Sequence, residues 1–161
     1  MPAIPAPSPE HVRSEGEARA RVREILAEAA ATLLGPQPGR GGFRQTRPGR
    51  DRSSGGSWQG LRTMIHVSGL LVAELPAGRE NLEQRARDLD GPLAALGFHR
   101  LPEPTASSLL QVRWRCVDGE LFELLGGSRL GLRVISAEFL PTTRETLSST
   151  SPITPPARPL R

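Results

Sequence analysis

Apolar residues recur at helical spacing near the start of the chain. Val22, Ile25, Leu26, Ala29 and Leu33 share one side of a 3.6-residue period. Ser14 and Glu17 have the S-x-x-E spacing of a capping box, in which each side chain satisfies an orphan backbone donor of the first turn. Gly35-Pro36 ends the pattern, which predicts a helix over 15–34 with Glu17 and Arg21 as an i,i+4 pair. A second stripe, Leu82, Ala86, Leu89, Leu93 and Leu96, stops at Gly97 and predicts a helix over 79–96. Gly91-Pro92 should bend or break it, because the proline ring removes a donor and crowds the carbonyl of Asp88.

Period-two alternation takes over elsewhere. Leu61, Thr63, Ile65, Val67, Leu71, Ala73 and Leu75 fall on one side, against Arg62, His66, Ser68 and Glu74, which predicts one long half-buried strand with Gly69 marking a bulge. Phe98–Leu101 is a short strand that leads into a turn segment. Leu110, Val112, Trp114 and Cys116 then alternate with Gln111, Arg113 and Arg115. Asp118-Gly119 signals a tight two-residue hairpin with positive φ at both positions. Leu121–Leu125 returns, Gly126-Gly127-Ser128 turns again, and Leu130, Leu132 and Val134 define the last strand.

The pattern fails in three places. Residues 1–13 hold Pro2, Pro5, Pro7 and Pro9 and read as a disordered Pro-rich arm. Residues 141–161 read as a disordered Ser/Thr/Pro-rich tail. Between them, 37–60 shows no periodicity and is interrupted by seven glycines, so a long Gly/Arg-rich loop is predicted there. One domain over 14–140 follows. It is an α+β fold, a two-layer sandwich with a mainly antiparallel sheet of about five strands and two helices, in the order α, loop, β, α, β, β, β, β. One face of the sheet should be apolar beneath the helices and the other wet.

Composition sharpens this picture at one place. All 21 basic residues are arginine, a bias that a GC-rich bacterial genome produces through codon supply alone. Yet Arg40, Arg44, Arg47, Arg50 and Arg52 face a single acid, Asp51, so segment 40–52 carries a charge equal to the whole chain's +4. Five guanidinium groups so close together are candidates for binding phosphate or carboxylate, with Phe43 or Trp58 placed to stack on a base. A second candidate surface is the polar sheet face formed by Arg62, His66, Gln111, Arg113 and Arg115.

Catalytic groups are not signalled. Cys116 with His66 or His99 would make a thiol and its base, but Cys116 alternates with Leu110, Val112 and Trp114 and is expected inside. A lone cysteine and scattered histidines give no metal spacing. Asp88, Asp90, Glu120 and Glu123 read as solvated surface, and the glycines of 39–60 match neither phosphate-loop pattern. No catalytic residue, cofactor or metal is therefore expected. Nor is a membrane span, since 18 apolar residues never run together. The single cysteine and the absence of a basic, apolar leader fit a cytoplasmic protein; an extracellular or lipid-anchored one would need an upstream signal.

The amphipathic first helix, the Gly-rich loop, the long strand, a helix ending in Leu96-Gly97-Phe98 and a meander holding Asp118-Gly119 together resemble a group of small α/β proteins of actinobacteria, many of them lipoproteins. The likeness covers 14–140. The chain has no lipobox, and Ala137-Glu138-Phe139 lacks the cysteine that secreted members often carry there. The resemblance implies the fold and no activity. The expectation is a non-enzymatic binding or interaction module with a protein as partner; the alternative is polyanion or nucleic-acid binding through 40–52.

Overall fold

The computed structural model describes residues 12–35, 42–103 and 110–142. The arm expected over 1–13 and the tail over 141–161 lie outside the described residues, except for Val12, Arg13, Pro141 and Thr142. Two helices, α1 (Glu15–Leu34) and α2 (Arg79–Ala95), cover one face of a ten-stranded sheet. The strands are β1 (Arg13–Ser14), β2 (Arg44–Arg47), β3 (Arg50–Trp58), β4 (Leu61–Val67) and β5 (Leu70–Ala73), then β6 (Phe98–Arg100), β7 (Gln111–Cys116), β8 (Leu121–Leu125), β9 (Leu130–Ile135) and β10 (Phe139–Leu140). The main path runs β1-β10-β4-β9-β8-β7-β6, with β3 alongside β4, and with β2 paired to β5, which also pairs β9.

The α+β sandwich is present, with a sheet of ten strands where about five are expected, and the parallel pairing of β1 with β10 makes that sheet mixed. β1 runs parallel to β10, so Arg13, assigned to the arm, is a strand residue opposite Phe139. Two-residue strands are too short to show alternation, so periodicity signals neither. The other extra strands, β2 and β3, come from the segment read as loop.

Both helices bury the predicted stripes. Ser14 accepts a hydrogen bond from the Glu17 backbone N–H at 3.2 Å, and Glu17 accepts one from the Ser14 N–H at 3.4 Å, completing the capping box. Ala18, Val22, Ile25, Ala29 and Leu33 of α1 and Leu82, Ala86, Leu89 and Leu93 of α2 are buried. α2 runs unbroken through Pro92. Asp88, whose carbonyl loses its partner there, lies on the exposed side, where water can serve it.

Opposite the helices, Val112, Trp114, Phe122, Leu124, Leu132 and Val134 close the core, each contributing about 1.5–3 kcal/mol by burial. The Trp114 indole N–H donates to Asp90 at 2.9 Å, and its ring meets Phe122 edge-on at 5.5 Å. Arg100 grips Asp90 through two nitrogens and lies 5.7 Å above the Trp114 ring. Asp90 thus clasps α2 to β6 and β7 while its side chain stays 45% exposed.

The chain from Arg44 to Ala73 forms one long hairpin. It turns at Gln59-Gly60, where both residues have positive φ (48° and 77°), the signature of a two-residue turn joining Trp58 to Leu61. The turn at Asp118-Gly119 is the looser kind: Gly119 alone has positive φ, and the Cys116 N–H donates to the Glu120 carbonyl across three residues.

The expected bulge at Gly69 is present and has a larger consequence than a local kink. Leu71 faces Leu132 on β9, whereas Val67 faces Ile135, so one extra residue sits on the β4–β5 side. Because side chains alternate, that extra residue turns the odd-numbered positions of β4 away from the helices while those of β5 stay on the core side. The apolar series over 61–75 is therefore split between the two faces.

A Cβ on Gly69 would lie 2.7 Å from the Arg47 carbonyl oxygen and 2.6 Å from Cδ of Gln45, so β2 reaches its place only against a bare backbone. Gly69→Ala is expected to destabilise the fold by about 1–3 kcal/mol, the usual cost of overpacking, read as a lower urea midpoint. An unchanged midpoint would show that β2 is not pinned at this point.

Candidate functional site

The arginines read as one loop are distributed along the hairpin. Arg40 lies outside the described residues. Arg44 faces Val72 and Arg47 faces Leu70 across the β2–β5 pairing, with the register shifting between Gln45 and Arg47. Arg50 faces Val67 and Arg52 faces Ile65 across β3–β4. Directly paired residues point to the same side of a sheet, and Val72, Leu70, Val67 and Ile65 all lie on the side away from the helices. The irregularities on the two strands match, so arginines three residues apart in sequence, 44, 47 and 50, arrive on one face. All four side chains are exposed.

That face carries more positive charge further along. Gln111 faces Leu125, Arg115 faces Leu121, which in turn faces Ile135, and Arg113 faces Glu123, which faces Arg133. Three of the residues expected on the polar face are therefore where they were placed, on the same side as the arginines of the hairpin. Glu123 is buried, not solvated: Arg133 donates to its Oε2 through Nε at 2.9 Å and through Nη2 at 2.5 Å. Half-buried Leu70, Val72, Leu121, Leu125 and Ile135 lie among these charges, where arginine stems can shelter apolar carbon while keeping the guanidinium in water.

His66 and Arg62 do not belong to this face. The bulge places the even-numbered side of β4 toward α1, and His66 Nδ1 lies 2.7 Å from Oδ1 of Asp51 and 3.2 Å from Nη1 of Arg19. Arg19 also holds Asp51 Oδ2 at 2.7 Å. Asp51, the one acid of the arginine segment, is thereby turned to the helix side, where it does not offset Arg44, Arg47, Arg50 and Arg52 on the opposite face. Arg62 shares the His66 side of β4, opposite Ser57.

The aromatic residues offered for stacking also separate. Phe43 packs against the core. Trp58 sits at the hairpin tip opposite Leu61, on the arginine side, with its indole N–H buried and without a hydrogen-bond partner among the described residues.

Cys116 is buried, with Gly97 packed so closely that a Cβ there would lie 3.3 Å from the sulfur. His99 pairs with Arg115 and so points to the other side of β7, and His66 is engaged with Asp51; neither reaches the thiol. Donor atoms of Cys116, Asp118 and Glu120 do fall within 4.8 Å of one another. Arginines already occupy the carboxylates. Arg21 donates from Nε to Glu120 at 3.1 Å, and Arg13 lies 2.5 Å from Asp118 and 3.5 Å from Glu120. A cation would have to displace both.

Glu120, read as surface, is fully buried. Arg21 reaches it instead of pairing with Glu17, and also donates to the Leu96 carbonyl at the end of α2. Burial opposes charge on Arg21, but the Glu120 and Glu24 carboxylates outweigh it and hold the guanidinium above its ordinary value.

No protein-family model matches the chain, and no curated protein does. Among solved structures there is a likeness of fold. The crystal structure of a DUF4853 family protein from Actinomyces odontolyticus ATCC 17982 superposes with a TM-score of 0.58 over 85% of this chain and 73% of that one. The fold is one found in an actinobacterium. At 19% identity the likeness speaks for the fold alone, and it agrees with the resemblance to actinobacterial proteins read from the sequence. Among the described residues, no helix is long and apolar enough to cross a membrane.

Proposed function

We propose that the protein is a non-enzymatic binding module whose helix-free sheet face takes the phosphodiester backbone of nucleic acid, without regard to sequence. One observation carries this reading: Arg44, Arg47, Arg50 and Arg52 line up on the same face as Arg113, Arg115 and Arg133, while Asp51 is turned away. The positions opposite the first four, Val72, Leu70, Val67 and Ile65, advance by about two residues each, so cations recur roughly every 7 Å along the hairpin. A polymer with one charge per unit suits such a row, and guanidinium forks match phosphate oxygens in pairs. Gln111 is the one amide on this face at a paired position among the described strands, which leaves little to read base edges with. The lone, buried thiol suits a reducing cytosol, where such a ligand is found.

The test is fluorescence anisotropy of a labelled single-stranded oligonucleotide at 50 and 200 mM salt. Binding is expected at the lower concentration and a steep loss at the higher, as counterion release requires. No binding at low salt overturns the proposal. So does polyglutamate competing equally at equal charge, since the face would then select charge and not phosphate.

A further inference from the structure

At the bend of the arginine row the surface closes into a cavity of about 290 Å³. Arg47 and Arg50 flank it from the hairpin, Arg133 from β9, and Pro48, Val67 and Leu70 supply apolar wall. The bulge lies beside it. With one extra residue in β4–β5 and another in β2, the backbones of 47–49 and 67–69 stay in close contact, while Arg47, Arg50 and Arg133, from the hairpin and from β9, border one cavity.

We infer that this cavity is a built site for a single phosphate dianion, the one place in the row that takes a phosphate group individually. The inference rests on the reading that the row takes phosphate, and specifies where and in what form. Arg47 and Arg50 have no carboxylate partner among the described residues, so their donors are available. Arg133 is held by Glu123 through Nε and Nη2, which fixes its fork and leaves Nη1 to donate. Three guanidinium groups against one carboxylate leave two net positive charges, the complement of a phosphate monoester at neutral pH. Ser68 offers nothing to the ligand: its hydroxyl donates to the Gly69 carbonyl and accepts from the Val134 N–H. The volume, at the small end of ligand cavities, suits phosphate with a short organic stem against Pro48, Val67 and Leu70.

Two variants that remove equal charge from the same row separate a site from a uniform field. Inorganic phosphate is titrated at pH 8 into the full chain, followed by arginine side-chain NMR. Arg47→Ala/Arg50→Ala is expected to weaken phosphate binding at least tenfold, and Arg44→Ala/Arg52→Ala less than twofold. Equal losses in the two would overturn the site and leave oligonucleotide binding untouched as a reading. Phosphate binding that persists in a protein indifferent to oligonucleotides would do the reverse. Arg133→Lys keeps the charge and loses the fork, so it should also weaken phosphate; unchanged affinity there counts against the site. Ethyl phosphate and an oligonucleotide with a 5′-phosphate, titrated alongside, distinguish a small ester from a strand end, and failure of all three ligands to bind overturns the inference.

Discussion

Replacing Arg44, Arg47, Arg50 and Arg52 together by alanine is expected to flatten the salt dependence of oligonucleotide binding and to weaken it about 100-fold or more at 50 mM salt. Each phosphate neutralised on a single strand contributes about 0.7 to the slope of log affinity against log salt, so four lost contacts should remove nearly three. The four side chains are exposed, and surface changes of this kind typically shift stability by about 0.5 kcal/mol or less, so the loss should not come from unfolding. Arg62→Ala and Arg79→Ala provide the contrast, since Arg62 lies on the other side of β4 and Arg79 begins α2. Both should bind as the parent does. A quadruple variant with the parental slope would show that the row does not touch phosphate.

A chain beginning at Gly42, without α1, is expected to lose its cooperative unfolding transition in calorimetry. Val22, Ile25 and Leu33 contribute about 5–9 kcal/mol together by burial, a sum comparable with the whole stability of an ordinary domain. The same deletion removes Arg21 and Arg13 and leaves Glu120 buried without a cation. Breaking a buried pair from one side costs about 3–5 kcal/mol, so Arg21→Ala alone should lower the melting temperature far more than its partly exposed position on a helix suggests. Arg21→Leu with Glu120→Leu should recover much of that loss, because neither charge is then left alone. A shortened chain that melts sharply near the parental temperature would show that the sheet and α2 suffice.

Local pattern made the two helices, the capping box of α1, the buried stripe of β7 and the bulge at Gly69 legible, because each is a local relation among neighbours on one element. The same reasoning failed on 44–58. Its alternation is written in arginine, serine and glycine, with Trp58 the only large apolar residue in it, since this ribbon lies at the sheet's border and buries little. Gln59-Gly60 performs the turn that Asn-Gly would have announced.

Glu120 and Glu123 were misread for a related reason. A carboxylate inside a fold looks like one on the surface until the arginine that meets it, from 99 residues away in one case and 10 in the other, is seen.

By itself, then, the sequence determined the fold class, the two helix faces, the burial of Cys116 and the concentration of positive charge in 40–52. Which side of the sheet each arginine occupies was decided only in three dimensions. A single extra residue in an extended strand exchanges its two faces, and whether a strand carries that residue depends on what its neighbours pair with, here a bare Gly69 against β2 and a register step against β9.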